Sequence, residues 1–158
     1  MFSLLIPALT LLTLTGCGVM AGLFFAYSNS VVPALAKLPG SQGLAAMKHM
    51  NLVILNPLFL TIFMGTALLA LLLALAALLG WTTSPVWILI GAALYLVGCI
   101  AVTFGINVPM NNALAASPLE GKASEALWAS FLDRWVFWNH ARAVASIGAL
   151  AAFAMAMR

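Results

Sequence analysis

The sequence predicts an all-α integral membrane protein, a four-helix bundle that forms one domain over residues 1–158. Hydrophobic residues make up 65% of the chain and charged residues 6%, whereas soluble domains carry about 25% charged residues. The mean hydropathy is +1.16. Residues 1–36 and 49–119 contain no Asp, Glu, Lys or Arg. Since a spanning helix needs about 20 apolar residues, four spans fit the chain.

The first half of the chain is predicted to hold two spans. Span one runs from about residue 4 to residue 27, or as far as residue 32, and ends by Pro33, because proline lacks an amide donor and disfavours helix at the residue before it. Residues 33–48, with two lysines and Pro39-Gly40, are a polar connection. Span two follows from about residue 50 to residue 79, and Gly80 begins a turn that reaches Pro85.

The second half is predicted to hold a third span and a longer last helix. Span three covers about residues 86–106 and stops at Asn107-Val-Pro109. A second polar connection leads to Ser124, which with Glu125 is typical of a helix start. The last helix reaches about residue 157, and its first half is amphipathic whereas its second half is apolar.

Four antiparallel spans place the polar connections and the start of the last helix at one membrane face. Its Lys and Arg residues favour a cytoplasmic position for loops 33–48 and 107–134 in a multi-pass protein of the inner cell membrane. The net charge of +3 is too small and too scattered for a nucleic-acid-binding patch. The lipid bilayer is therefore the first expected partner.

Arg142 is the most informative residue, because it lies in an otherwise apolar segment. A charge at mid-membrane costs about 2.5–3.5 kcal/mol, and such residues usually face the bundle interior or a wet cavity. At 100° per residue, one helix face of about 100° contains most of the aromatic and polar residues nearby. They are Trp128, Phe131, Trp135, Trp138, Asn139, Arg142 and Ser146.

Polar residues from other predicted spans are expected at the same membrane level. His49 and Asn56 share one face of span two, and Asn107 and Asn111 lie at the end of span three. His140 points away from the Arg142 face. The two histidines and two cysteines have no spacing typical of a metal site, so no metal ligands are assigned.

Each of these residues also has a structural interpretation. Arg142 could extend its charged group to the membrane interface. The three tryptophans could form an interfacial aromatic belt, His49 could face lipid headgroups, and Asn56 and Asn107 could join helices by hydrogen bonds. Their joint occurrence favours a cavity with apolar walls and a few polar groups, suited to a hydrophobic aromatic or quinone-like molecule.

At these residues the sequence resembles the anthrone oxygenase-like family of small four-helix membrane proteins, whose bacterial members are mostly of unknown function. The resemblance rests on motifs in the last three spans. They are Asn51, Asn56-Pro57, Phe59 and Gly65-Thr66, then Asn107-Val-Pro-Met-Asn111 and Leu114, then Trp128, Trp135, Trp138-Asn139 and Arg142.

The resemblance implies an oxygenase, since fungal members are associated with oxidising an anthrone to an anthraquinone with O2 as co-substrate. No cofactor is firmly implied, and copper or iron remains open. For an anthrone- or hydroquinone-like substrate, Arg142, Asn139 and Asn107 are the expected oxyanion donors. His49 is the preferred base, and His140 is the second candidate. Asn56, Asn111 and the three tryptophans would then bind the substrate.

A second hypothesis is a non-catalytic membrane module that binds a lipid, a quinone or a partner helix in the same cavity. In that case the small residues Gly16, Gly18 and Gly22 of span one would serve formation of a homo-oligomer. A transporter is a third interpretation, disfavoured because the chain has no internal repeat.

Overall fold

The computed structural model of the chain is all-α, and it describes the backbone of residues 2–158 and the side chains from Leu4 onward. Its five helices are α1 (Phe2–Ala26, continued by Tyr27–Val31 and Val32–Leu35), α2 (Gly40–Val53), α3 (Pro57–Leu78), α4 (Pro85–Ala93, continued by Leu94–Ala101, Thr103–Asn107 and Val108–Ala116) and α5 (Lys122–Ala156). The all-α prediction is confirmed, whereas the predicted number of helices is wrong.

The additional helix is α2, which occupies most of the predicted first connection. Its buried residues are Gly43, Leu44 and Met47, so one face packs against the rest of the chain. Charged and polar residues lower its hydropathy, which is why it was predicted as a loop. The start of span two was also predicted too early, because α3 begins at Pro57.

Asn56 caps the start of α3 instead of sharing a helix with His49. Its Oδ1 accepts a hydrogen bond from the Phe59 amide at 3.0 Å, and its Nδ2 donates to the Val53 carbonyl at 3.1 Å. Asparagine before a proline at the first helical position is a common helix start. The predicted common face of His49 and Asn56 is therefore wrong.

Two prolines that were predicted to end helices lie inside helices. α1 continues past Pro33 to Leu35, and α4 continues past Pro109 to Ala116. In both cases a π-helical segment comes just before the proline, Tyr27–Val31 in α1 and Thr103–Asn107 in α4. A π turn shifts the hydrogen-bond ladder by one residue, so the helix accommodates a residue that lacks an amide donor.

The predicted turn after span two is confirmed. Gly80 has a φ of +75°, a conformation that glycine adopts without steric cost. The Trp81 amide donates to the Ala76 carbonyl at 2.9 Å, and the Gly80 amide donates to the Ala77 carbonyl at 3.2 Å. This pair of bonds is a Schellman motif, which ends α3.

Two apolar clusters hold the helices together. The larger one is built from α1, α3, α4 and α5 and includes Phe63, Tyr95 and Phe153. α1 and α3 approach closely, since a Cβ added to Gly16 would lie 1.9 Å from Thr66 Oγ1. Gly16 therefore serves packing within the chain. The smaller cluster joins α2 to the ends of α1 and α4 and to the first half of α5.

Three stretches are long and apolar enough to cross a membrane, namely Leu4–Leu35, Pro57–Leu78 and Pro85–Ala116. The large hydrophobic side chains that they expose are mostly leucine, isoleucine and valine. Together they indicate a membrane protein. The last helix, which was predicted as a fourth span, is not among the three, because Asn139, His140 and Arg142 lower the hydropathy of its apolar half.

Candidate functional site

Arg142 is buried inside the fold without a carboxylate partner. Its side chain is 6% exposed, whereas Glu120, Glu125 and Asp133, all the acidic residues of the chain, are exposed. A buried charge is costly unless nearby groups compensate for it. The groups that surround the guanidinium therefore define the candidate site.

Neutral oxygen atoms and aromatic rings surround this guanidinium. Its Nη2 donates to Asn139 Oδ1 at 2.5 Å, and its Nη1 donates to Thr103 Oγ1 at 3.1 Å. The carbon Cζ lies 4.3 Å from the centroid of the Phe24 ring and 5.5 Å from that of the Trp135 ring. Cation–π contacts of this kind are stronger where water is excluded. Since these partners are neutral, no acidic group among the described residues compensates the positive charge of Arg142.

Asn139 fixes the position of Arg142. It is fully buried, and its Nδ2 donates to the Phe24 carbonyl at 2.7 Å and to Ser28 Oγ at 2.6 Å. Both donor positions of the amide are thus used on α1, which leaves its oxygen oriented toward the guanidinium. The amide connects α1 to the cationic group of α5.

The π-helical segments of α1 and α4 supply two of these contacts. Ser28 lies in Tyr27–Val31, and Thr103 begins Thr103–Asn107. Thr103 Oγ1 also donates to the Cys99 carbonyl at 2.7 Å, which orients its lone pairs toward Arg142. π segments are frequent at functional sites. Here the segments that accommodate two prolines also position partners of Asn139 and Arg142.

A cavity of about 290 Å³ opens beside Arg142, at the lower end of the range typical of small-molecule sites. Its lining is mainly apolar and comes from all five helices and the α2–α3 loop: Leu23, Phe24, Tyr27, Lys48, Met50, Asn51, Leu52, Ile54, Leu55, Phe59, Thr103, Val108, Asn111, Asn112, Ala115, Trp135, Asn139 and Arg142. The lining contains two cationic side chains, Lys48 and Arg142, and no acidic residue.

Four of the predicted site residues line this cavity, namely Arg142, Asn139, Trp135 and Asn111. Trp135 Nε1 donates to Asn111 Oδ1 at 2.9 Å, which joins α5 to α4 along the cavity wall. The indole ring stacks on Phe131, with centroids 5.6 Å apart. These contacts hold the aromatic wall in one orientation.

Three other predicted residues are exposed and do not line the cavity. They are His49, His140 and Asn56. His49 lies on α2 beside Lys48, and His140 lies on the outer face of α5, as its wheel angle predicted. The base role assigned to His49 and His140 remains a prediction.

The remaining predicted residues are partly or fully buried outside the cavity lining. Trp128 packs against Gly43 of α2, where an added Cβ would lie 3.0 Å from its Cζ2. Trp138 is half-buried and makes an edge-to-face contact with the exposed Phe137 at 5.4 Å. Asn107 is 1% exposed, and neither of its amide atoms has a hydrogen-bond partner among the described residues.

The sequence interpretation missed four residues of the site. Phe24, Ser28, Thr103 and Lys48 contact the buried polar groups or line the cavity. One signal was present, because Thr103, Asn107 and Asn111 recur every four residues and so share one face of a helix. Phe24 and Lys48 have no comparable signal, since each is ordinary in its own segment.

No group of three His, Cys, Asp or Glu side chains within residues 4–158 lies close enough together to hold a metal ion. Cys17 and Cys99 are both buried, and each is a free cysteine.

A profile of the anthrone oxygenase family matches residues 59–152, more than half of the chain. The chain belongs to the anthrone oxygenase family. No curated protein and no solved structure matches it. The anthrone oxygenase match includes Thr103, Asn111, Trp135, Asn139 and Arg142, whereas Phe24, Ser28 and Lys48 lie outside it. The matched part thus contains Arg142 and the Trp135 ring beside it.

Proposed function

We propose that the protein is a membrane-embedded oxygenase that oxidises an anthrone-like phenolic substrate with O2 as co-substrate. One observation carries the proposal: a buried arginine without an acidic partner, held by Asn139 and Thr103, lines a mostly apolar cavity beside Phe24 and Trp135. The family membership supports the reaction class. Fold and family alone do not specify activity, so the site must carry the argument.

The first chemical step in this proposal is formation of the substrate anion. An anthrone loses a proton from its C10 carbon, and the negative charge moves to the oxygen at C9. The five N–H groups of a guanidinium make it a strong donor to such an oxygen. Asn139 and Thr103 each accept a hydrogen bond from one of these N–H groups. The remaining N–H groups of Arg142 would then donate to the oxyanion. A cavity that excludes water strengthens this interaction.

The anion then supplies all the electrons that O2 requires. C10 forms a bond to one oxygen atom of O2, and protonation gives a hydroperoxide at that carbon. Loss of the second C10 hydrogen as a proton, with cleavage of the O–O bond, produces the new carbonyl group and water. Anthrone and O2 thus yield anthraquinone and one water molecule, with atoms and electrons balanced.

The proposal also places the protein in the membrane. α1, α3, α4 and α5 would be four spans of the inner cell membrane, with residues 33–48 and 107–134 on the cytoplasmic side. The apolar outer surfaces of α1, α3 and α4 support this arrangement. In the apolar half of α5, Asn139 and Arg142 are buried and face inward, whereas His140 is exposed on the outer face. A hydrophobic substrate could then reach the cavity from the bilayer.

The test is turnover by the purified protein. We expect O2 consumption and anthraquinone formation in a 1:1 ratio with anthrone in detergent micelles, above the rate in micelles without protein. Elemental analysis of the same sample shows whether copper or iron accompanies the activity. Stoichiometric binding of anthrone without turnover would contradict the proposal and favour a non-catalytic module that binds a lipid, a quinone or a partner helix.

The exposed histidines provide a separate prediction. The double variant His49→Ala, His140→Ala is expected to retain the turnover of the wild-type protein, because neither side chain lines the cavity. The anion would then form because Arg142 stabilises it, with the proton passing to water. A loss of about 100-fold or more, typical of removing a general base, would instead assign a histidine to proton removal. Initial rates of O2 consumption measure this.

A further inference from the structure

Lys48 is the second cation of the cavity and has no role in the oxidation proposed above. It is half-buried in the C-terminal half of α2. Its Nζ donates to the Ser117 carbonyl, just beyond the end of α4. As with Arg142, no acidic residue lines the cavity near it. The same mostly apolar cavity therefore contains two cationic groups without a carboxylate.

The cavity is elongated, and Lys48 lies far from Arg142 along it. On α4, the lining residues extend from Thr103, which contacts Arg142, to Ala115, two residues before the Ser117 carbonyl that Lys48 contacts. At about 1.5 Å per residue these twelve steps span at most roughly 18 Å, and somewhat less because Thr103–Asn107 is π-helical. The two cations thus lie toward opposite ends of one cavity.

Two neutral amide side chains, Asn51 and Asn112, line the same cavity as Lys48. Asn51 lies three residues after Lys48 on α2, so the two share one side of that helix. The Asn51 Nδ2 atom is buried and has no acceptor among the described residues. An ammonium group with amide donors matches an anionic oxygen group such as a carboxylate. The apolar lining of the cavity, which includes Val108 between Thr103 and Ala115 on α4, suits a hydrocarbon body.

We propose that Lys48 and Asn51 form a subsite for an anionic group that the substrate carries at a distance from the ring oxygen held by Arg142. This inference rests on the proposed function for the position of the aromatic ring. The substrate class is then an acidic aromatic compound with its carboxylate on an arm. Lys48 would select among substrates, whereas Arg142 would act on the reacting ring.

The test uses binding of anthraquinones, which do not turn over, by calorimetry in neutral maltoside micelles. The probes are anthraquinone-2-carboxamide with a 5-carboxypentyl group on nitrogen, its 5-carbamoylpentyl counterpart, and anthraquinone-2-carboxylate. We expect the long acid to bind at least about tenfold tighter than the long amide, as for a hydrogen bond to a charged group. Lys48→Met should remove this difference.

Lys37→Met is the matched control, since Lys37 is exposed and does not line the cavity. It should leave all affinities unchanged. Equal affinity of the wild-type protein for the long acid and the long amide would overturn the proposal. So would an equal loss for both probes in Lys48→Met, which would mean that Lys48 only holds α2 against α4. Tighter binding of the short acid than of the long acid would contradict a distant anionic group.

Two further outcomes separate this inference from related ones. If phosphatidylglycerol displaces the long acid from the wild-type protein and binds Lys48→Met more weakly, Lys48 binds a lipid headgroup and the substrate subsite is wrong. If anthrone is oxidised but Lys48→Met changes no affinity, the subsite fails and the proposed function stands. Binding that depends on Lys48, without oxidation of any anthrone, would leave the subsite in place and contradict the oxygenase.

Discussion

Replacement of Arg142 by Met is expected to lower the rate of anthrone oxidation by about 100- to 1,000-fold, the range seen when one oxyanion donor is removed. The guanidinium is the only cation with side-chain contacts to Asn139, Thr103 and the Phe24 ring in the described residues. Methionine keeps much of the volume and removes the charge. Initial rates of O2 consumption at saturating anthrone measure the effect.

The Arg142→Met protein should remain folded. Removal of the guanidinium leaves the buried Asn139 Oδ1 without its donor, at a cost of about 1–3 kcal/mol. The same change removes the cost of burying a charge that has no acidic partner, which offsets part of this loss. Thermal unfolding of both proteins in the same detergent checks this. A large fall in the unfolding temperature would mean that the activity loss reports misfolding, so Arg142→Lys is included. Lysine keeps the charge but cannot bond to Asn139 and Thr103 in the same fork geometry.

Arg134→Met is the matched control for the charge change. Arg134 lies on the same helix, two turns earlier, and is exposed. We expect its activity and unfolding temperature to equal those of the wild-type protein. Retention of full turnover in Arg142→Met, with Arg134→Met also active, would show that the oxidation does not use this guanidinium. The proposed site would then be wrong even if the protein is an oxygenase.

Asn139→Leu is expected to have the largest effect on stability. The leucine has no donor for the Phe24 carbonyl or Ser28 and no acceptor for Arg142. Leaving buried polar groups unpaired costs about 1–3 kcal/mol for each one, and more for a charged group. We expect a loss of about 3–5 kcal/mol, the range for removing one partner of a buried charge. Unfolding by SDS in mixed micelles measures it.

A second variant at this position keeps an acceptor for Arg142 but loses the donor to the Phe24 carbonyl, so its thermal unfolding is measured beside its turnover. Asn139→Asp places a carboxylate against the guanidinium, so the positive charge is compensated within the protein. The variant should lose most of its turnover, because Arg142 then stabilises its own partner better than the substrate oxyanion. An Asp variant as active as the wild-type protein would contradict the role of an uncompensated Arg142.

Asn29→Leu is the control for the change of side chain. Asn29 is exposed in the same π-helical segment that contains Ser28. Its replacement should change the free energy of unfolding by less than about 0.5 kcal/mol, as is usual for surface positions. If Asn29→Leu and Asn139→Leu destabilise the protein equally, the buried hydrogen bonds of Asn139 are not the cause.

The sequence was sufficient where a single physical rule dominates. Composition predicted helices and a membrane protein, and the Gly80 turn followed from the conformational freedom of glycine. The inward face of α5 followed from helical periodicity, since Phe131, Asn139, Arg142 and Ser146 are all buried. Trp138 was assigned to the same face but is only half-buried.

Prediction failed where two local rules compete. Pro33 and Pro109 were predicted to end helices because proline lacks an amide donor. A π-helical segment before each proline instead allows the helix to continue without that donor. α2 was assigned as a loop because of its polar residues, although Leu44 and Met47 bury one of its faces. In both cases packing against other helices decides the local structure, and a linear pattern does not contain that information.

The sequence by itself determined that Arg142 is a costly charge in an apolar segment and that Asn139 and Trp135 lie on its face of the helix. Only the tertiary structure decided what surrounds it. Phe24, Ser28 and Thr103 come from helices more than thirty residues away along the chain. The same packing left His49 and His140 outside the cavity and brought Lys48 into its lining. Such contacts depend on the relative position of helices, which the helical period of one segment does not specify.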